Sequence, residues 1–427
     1  MDYNILDFGA KSGTETLSTN AIQATIDACA LTGGRVIIPA GEYLTGTLRL
    51  RSHVELHISH GARLVASTDL ADYNAIDEFE QNQRVSSEGW GGYHLIMCVE
   101  QEDVAITGTG VIDGRGEFFF NSPTVNPVIY PWRRGAAEQK PLVRPGQLVC
   151  FVESRDIVIK DITIKNSPSW TCLLHGCENV NVRGIKILNP YYHYNTDGLD
   201  IDTCRSVCVS DCIIDAGDDA IAIRGASSKL KNKGGACEHV VITNCTLSSN
   251  SSAIRIGVGT SPIRHVRVSN ITIRYAGVGI NFFPEWAQTS HTPISDVHFT
   301  GVSATDVGRM IELNVNNGTP ISCVTVSDVV AEAMSAARIR CTSPGAVRGL
   351  KLSGLHITAI KDIDAPASDA PEHRGSEFFL CEGIDDLCIR DCALRIDETL
   401  LTQWSAPSAI RGCTGEHEAG CGITVVK

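Results

Sequence analysis

The feature that most constrains this chain is a recurrence of short runs in which polar and apolar residues alternate. They span 157–164, 180–187, 207–214, 239–247, 266–273, 297–302, 324–330, 350–357 and 387–394. Many break at a small or acidic residue before a second short run. The breaks fall at Asp161, Gly184, Asp211, Asn244, Asn270, Gly301, Asp328, Gly354 and Asp391. Nearer the start, 54–58, 63–66, 104–107 and 110–113 also read as strands. Period-two alternation marks a strand with one buried face. A repeat of roughly 20–40 residues lies in the solenoid range. No helical segment of crossover length separates the runs. The pattern predicts an all-β chain, a single-stranded right-handed parallel β-helix. A β-propeller is the runner-up, but no blade signature recurs.

The start of the chain differs. Residues 19–31 carry Ala21, Ile22, Ala24, Thr25, Ile26 and Ala28 at helical spacing, and Gly33-Gly34 ends them. Residues 35–43 then read as a buried strand and a turn. An amphipathic helix here would close the open end of a solenoid, as terminal repeats must. The expected layout is one elongated domain, 1–427, with an N-terminal cap at 1–45. Two long polar stretches interrupt the rhythm, 69–93 and 117–144, and are expected to be loops that wall a cleft. Residues 362–378 also read as loop.

Composition narrows the partners. The formal net charge of −13 argues against nucleic acid or an anionic membrane as a partner. No run of 18 apolar residues occurs, so no membrane-spanning helix is expected. Met1-Asp2-Tyr3-Asn4 leads straight into Ile5-Leu6-Asp7-Phe8, with no basic start and apolar run. Together with 17 scattered cysteines, this gives a cytoplasmic location as the expectation. Cys204, Cys208 and Cys212 fall along an extended run without a Cys-x-x-Cys pair. They are expected inside the coil, so no metal and no cofactor is assigned. His239, His265 and His291 are expected at turns or on the surface.

The chemistry concentrates in 191–224. Asn195-Thr196-Asp197-Gly198 and Gly217-Asp218-Asp219 are turn-like acidic sites about one repeat apart. Neighbouring coils of a parallel stack lie about 4.8 Å apart. Asp197, Asp218 and Asp219 would then share one patch, as acid/base chemistry on a sugar bond requires.

At this point the motifs align with a known family. Phe8-Gly9-Ala10, Ile38-Pro39-Ala40-Gly41-Glu42-Tyr43, Ile112-Asp113-Gly114-Arg115-Gly116, Arg144-Pro145 and Asn166-Ser167-Pro168-Ser169-Trp170 precede the two acidic motifs in order. The ordered set resembles the polygalacturonases, family 28 of the glycoside hydrolases. The resemblance runs to at least Ile280 and implies a pectin-lyase-like right-handed β-helix that hydrolyses pectic sugar linkages with inversion. By the same match Asp218 resembles the general acid. Asp197 and Asp219 resemble the pair that activates water.

The chain departs from the family pattern downstream. Where the family has Gly-His-Gly, it reads Ser251-Ser252-Ala253, and where the family has Arg-Ile-Lys it reads Gly279-Ile280-Asn281. Arg224 and Arg255 are therefore candidates to hold a substrate carboxylate. Ser252, His193, Tyr194, Asn281 and Trp286 join them as substrate-binding candidates, with Tyr192 as a further aromatic and Glu285 as an extra carboxylate. The expected activity is hydrolysis of pectin-derived oligosaccharides, of oligogalacturonide or rhamnogalacturonan type, with exo action. Two alternatives compete. One is a β-helix lyase using calcium, and the other is a non-hydrolytic glycan-binding or glycosyl-transferring β-helix.

Overall fold

The computed structural model describes every residue except 85–88, 90, 121–142, 233–234, 287–288, 362–375, 416–421 and 427, and the backbone alone of 422–426. Packing divides the chain into two compact units. Among the described residues, one is built from those up to Asp218 together with those of 227–235, and the other from Asp219–Ala226 and those from Ala236 onward.

In the first unit, three ladders of short parallel strands make the coils. One ladder stacks Glu102–Gly108, Arg155–Lys160, Glu178–Arg183 and Arg205–Ser210. A second stacks Ile96–Val99, Val149–Val152, Cys172–His175 and Leu199–Asp202. The third stacks Val111–Asp113, Thr163–Lys165, Lys186–Leu188 and Ile213–Ala216. Alternation in the sequence becomes a column of like residues in space. Val104, Ile157, Val180 and Val207 are register partners, and each is buried. Full burial of such a side chain stabilises by roughly 1.5–3 kcal/mol.

The second unit repeats the plan with longer runs. Cys237–Gly259, Ile263–Phe283, Ile294–Val315, Ile321–Cys341 and Val347–Ala359 pair in parallel register. Its inward column reads Val240, Val266, Val297, Val324, Leu350 and Leu387. The described strand pairs are parallel except for one short antiparallel ladder, Glu285–Trp286 with Ser290–His291. The predicted parallel β-helix is thus the observed architecture.

The bends explain how one chain makes coils without helices. All nine predicted break positions have positive φ, from 51° at Asn270 to 66° at Gly301. That region is costly for most residues, but Gly is free of the penalty and Asn and Asp are enriched there. A second column of positive φ lies near the start of the same strands, at Asp156, Asn179, Ser206, His239, His265, Asp296, Cys323 and Asp386. The expected breaks did not include these positions, although four of the eight are Asp or Asn and His239 and His265 were expected at turns or on the surface.

The expected N-terminal helix spans Thr19–Ala30. Its buried residues, Ile22, Thr25, Ile26 and Cys29, form one stripe at helical spacing. The stripe packs on the first strands, and the Gln23 amide exchanges hydrogen bonds with the Arg49 backbone (2.8 and 3.0 Å).

A second apolar cluster lies on the outer face of the middle ladder. Cys150, Val152, Trp170 and Leu173 are covered by Leu230, with Phe79 and Val99 against them. The Ser227–Gly235 segment is fastened there. Lys231 pairs with Glu100, and the Lys231 and Asn232 N–H groups donate to Glu153 Oε1 (3.0 and 3.2 Å).

Some expectations shift. Cys204 and Cys212 are buried, but Cys208 is exposed, because it occupies an outward position of Arg205–Ser210. Glu377 and Phe378 open a strand, Glu377–Glu382, rather than closing a loop. Of the 117–144 stretch, 121–142 lie outside the described residues, as do 362–375. In 69–93, Asn74, Gln81 and Asn82 are buried while Asp69, Ala71, Asp77 and Glu80 are exposed, and Asn74 and Asn82 both donate to Gly92 O (2.8 and 2.9 Å).

Candidate active site

The turn carrying Asp197 is built from its backbone outward. Asn195 has φ 52°, which reverses the chain before Leu199–Asp202. Thr196 Oγ1 donates to His193 O (2.6 Å) and accepts from Gly217 N–H (3.2 Å), so one hydroxyl joins the two acidic turns. Gly217 is required by this approach, since a Cβ there would lie 1.9 Å from His193 O. Asn195 N–H donates to Asp218 Oδ2 (3.2 Å). Behind the turn, Asn189 Nδ2 donates to Thr171 Oγ1 (2.7 Å) and to Thr196 O (3.3 Å).

A buried arginine holds the same turn. Arg144 is fully buried, and its guanidinium donates to Pro168 O (2.6 Å), Tyr194 O (3.3 Å) and Asn195 Oδ1 (3.0 Å). It also lies over the Phe120 and Tyr194 rings, 5.0 and 4.9 Å from their centroids. The Arg144-Pro145 motif by itself assigns the arginine no task. The signal was a lone cation between apolar residues, in Leu142-Val143-Arg144-Pro145.

His193 is buried and stacked on Phe120 (centroids 4.1 Å apart), with Tyr192 at its edge. Burial first, and the Arg144 charge second, lower its pKa to about 4, so the ring is neutral near pH 7. Tyr194 lies beneath Arg144 and edge-on to Phe120. Tyr192 is exposed.

Asp219 is anchored differently. Its carboxylate accepts from Ser252 N–H (3.0 Å) and forms an ion pair with Arg255 Nε (2.8 Å). Asn281 Nδ2 donates to Ser252 Oγ (3.0 Å), and Ser252 O accepts from Ala220 N–H (2.9 Å). The structure thus joins Ser252, Arg255 and Asn281 in one network on Asp219. Arg224 lies almost buried in Ile221–Gly225. Trp286 sits on the separate antiparallel ladder, half exposed, with its ring 5.3 Å from that of Phe283. Glu285 is occupied with the backbone. It accepts from the N–H groups of Asn316, Asn317 and Thr319 (2.8–3.2 Å). Burial alone would raise its pKa, but these bonds outweigh it and lower the value.

Asp197 and Asp219 are buried and Asp218 is half-buried. One carboxylate oxygen of each lies within 4.8 Å of the others. A water making two hydrogen bonds of about 2.8 Å at a tetrahedral angle spans acceptors about 4.6 Å apart. The cluster therefore has the spacing to hold one water between two carboxylates while a third meets the leaving oxygen. Oxygen donors in this number would also suit a hard divalent cation.

Comparison with known proteins places this geometry in context. The model of the glycosyl hydrolases family 28 matches residues 34–239. A probable polygalacturonase of Vitis vinifera is 28% identical over 376 residues, covering 83% of this chain and 74% of that protein. An exo-poly-alpha-D-galacturonosidase of Dickeya chrysanthemi is 27% identical over 327 residues, covering 65% of this chain and 51% of that protein. Among solved structures, a hyperthermoactive exopolygalacturonase of Thermotoga maritima superposes with a TM-score of 0.62 at 21% identity, over 84% of this chain and 91% of that one.

Proposed function

We propose that this chain, a glycoside hydrolase of the family 28 polygalacturonase type, cleaves glycosidic bonds in pectin-derived oligosaccharides by exo attack and with inversion. The observation that carries the reading is the approach of Asp197, Asp218 and Asp219. The half-buried Asp218 is the general acid and protonates the leaving oxygen. Asp197 and Asp219 hold the water and take its proton as it attacks the anomeric carbon. The Arg255 ion pair and the Ser252 N–H fix Asp219 for that task. Exo action is supported by relatives whose names specify it. A uronate-containing chain, oligogalacturonide or rhamnogalacturonan piece, is the substrate class.

Asp218→Asn tests the reading, because an amide cannot supply the proton. Turnover of oligogalacturonides, followed by mass spectrometry, is expected to fall by 10² or more. Proton NMR of the first-formed product is expected to show the inverted anomer, released one unit at a time. Full turnover in the variant, or a retained anomer, refutes the assignment. A chelator is expected to leave activity intact. Loss of activity with chelator, together with an unsaturated product, would mark a lyase instead.

A further inference from the structure

Residues 227–232 form a strap whose seat on the coils bears on the acidic site. Leu230 N–H donates to Ser227 O (3.0 Å), and the turn so made sets Leu230 onto Cys150, Val152, Trp170 and Leu173. Each of these four is at most 7% exposed. Cys150 and Leu173 are register partners on the outer face of the middle ladder, and Leu173 is in turn the partner of Asp200. Trp170 stands closer still to the acidic turn. Cys172 pairs with Leu199, and Thr171 N–H donates to Asp197 O (2.8 Å). Counting back along both strands puts Trp170 opposite Asp197 on the neighbouring coil. Such coils lie about 4.8 Å apart.

The strap is held from both sides. Lys231 pairs with Glu100, and the Lys231 and Asn232 N–H groups donate to Glu153 Oε1. The buried Gln81 braces the same two carboxylates, its Nε2 donating to Glu100 Oε1 (2.9 Å) and to Glu153 Oε2. Gly176, at φ 68°, leaves the space that the leucine fills, since a Cβ there would lie 2.8 Å from Leu230 Cδ2. On the same coil the Gln83 amide lies against the His175 ring (3.1 Å). One packed leucine and three donors thus fix the strap across this face, where a loop with few buried contacts would open readily.

We propose that this strap is the end wall of the sugar-binding floor on the Trp170 side of the cleaved bond, with Leu230 the residue that sets exo specificity. This rests on the hydrolase reading above and deepens it by giving exo action a cause within the chain. A glycan bound along the coils across Asp197 meets Trp170 one coil further on, and Leu230 stands on Trp170 there. One coil is about the run of a single pyranose ring, so no more than one sugar fits between the acidic turn and the strap. Internal cleavage needs a floor that continues past that point. Leu230 limits what is held on that side and takes no part in the proton transfers, which stay with the three aspartates.

The test uses the full chain with Leu230→Gly, Lys231→Ala and, as a control away from the strap, the exposed Arg264→Gln. A urea melt checks that each variant is folded. An oligogalacturonide series is digested to low conversion, and the first products are sized by mass spectrometry. The unsubstituted protein is expected to release single uronates. K231A gives up an exposed ion pair and should raise the share of longer first products by up to about fivefold. L230G removes the packed side chain and should raise that share about tenfold or more. R264Q should leave product sizes unchanged. A lower urea midpoint in L230G with product sizes unchanged means that the leucine only packs, and overturns the wall. Should L230G not fold, K231A decides, and no rise in longer products overturns the wall. If the unsubstituted protein cuts internally from its first turnovers, hydrolysis stands and the wall alone is overturned. If it cleaves no oligogalacturonide, the hydrolase reading falls and the wall falls with it.

Discussion

Arg144 offers the sharpest link between packing and activity. In Arg144→Met the stem keeps much of its volume but the guanidinium is gone. Pro168 O, Tyr194 O and Asn195 Oδ1 each lose their donor. A buried acceptor without a partner costs about 1–3 kcal/mol. Taking the low end for all three gives about 3 kcal/mol of lost stability. The chemical effect runs through Asn195, whose N–H donates to Asp218 Oδ2. A shift of about 1 Å in a catalytic group can cost about 10² in rate. The expected result is a folded protein with an unchanged circular dichroism spectrum. Its urea midpoint should be lower, and its kcat on oligogalacturonides should fall about a hundredfold with little change in KM. Asn195→Ala separates the two effects. It leaves the two carbonyl contacts of Arg144 in place, so it should retain most of the stability. An R144M protein as stable as the original, with full kcat, would refute the idea that this arginine sets the acidic turn.

Three further outcomes are expected. His94 and His193 are both buried, and burial holds their pKa values near 4. The unfolded chain takes up protons near 6.5, so stability present above that pH is lost as pH falls toward 4, by on the order of 2–3 kcal/mol per histidine near pH 4.5. Thermal melts against pH check this, and His94→Gln should flatten the slope. Glu285→Gln removes the negative charge that gathers three backbone N–H groups, and should cost about 1–2 kcal/mol. Hydrogen exchange at 316–319 should rise, with activity little changed. Asn244→Val forces a branched side chain to φ 57° and should cost about 1–2 kcal/mol in denaturant melts, whereas Asn244→Gly should be nearly neutral.

The architecture was legible because it is written locally. Asp161, Asn244 and Gly354 announce a bend by their own chemistry, and the aliphatic alternation around them announces the buried face. The second column of bends was harder to read because it mixes Asp156, Asn179, Asp296 and Asp386 with Ser206, His239, His265 and Cys323, so no residue type marks the position. The site divided in the same way. Asp197, Asp218 and Asp219 stood out through their short turn motifs. The work of Arg144, Asn189 and Thr196 depends on contacts between residues as far as 51 positions apart, as between Arg144 and Asn195. No spacing rule reaches that far. Trp286 and Glu285 drew notice as residue types, yet Glu285 serves the loop opposite it. His193 proved to be an interior ring whose surroundings only packing could reveal.

The fastening of Lys231 onto the coils behind it has a consequence for how the protein is made. Glu153 leaves the ribosome 78 residues before the backbone that will grip it. At about 5–20 residues per second, the gap is about 4–16 s. For the later part of that interval, once Leu173 has been made, Cys150, Val152 and Leu173 are all present while Leu230, which packs with them in the folded protein, is not. Any order those coils gain before residue 230 arrives therefore leaves an apolar side that only a later part of the sequence covers.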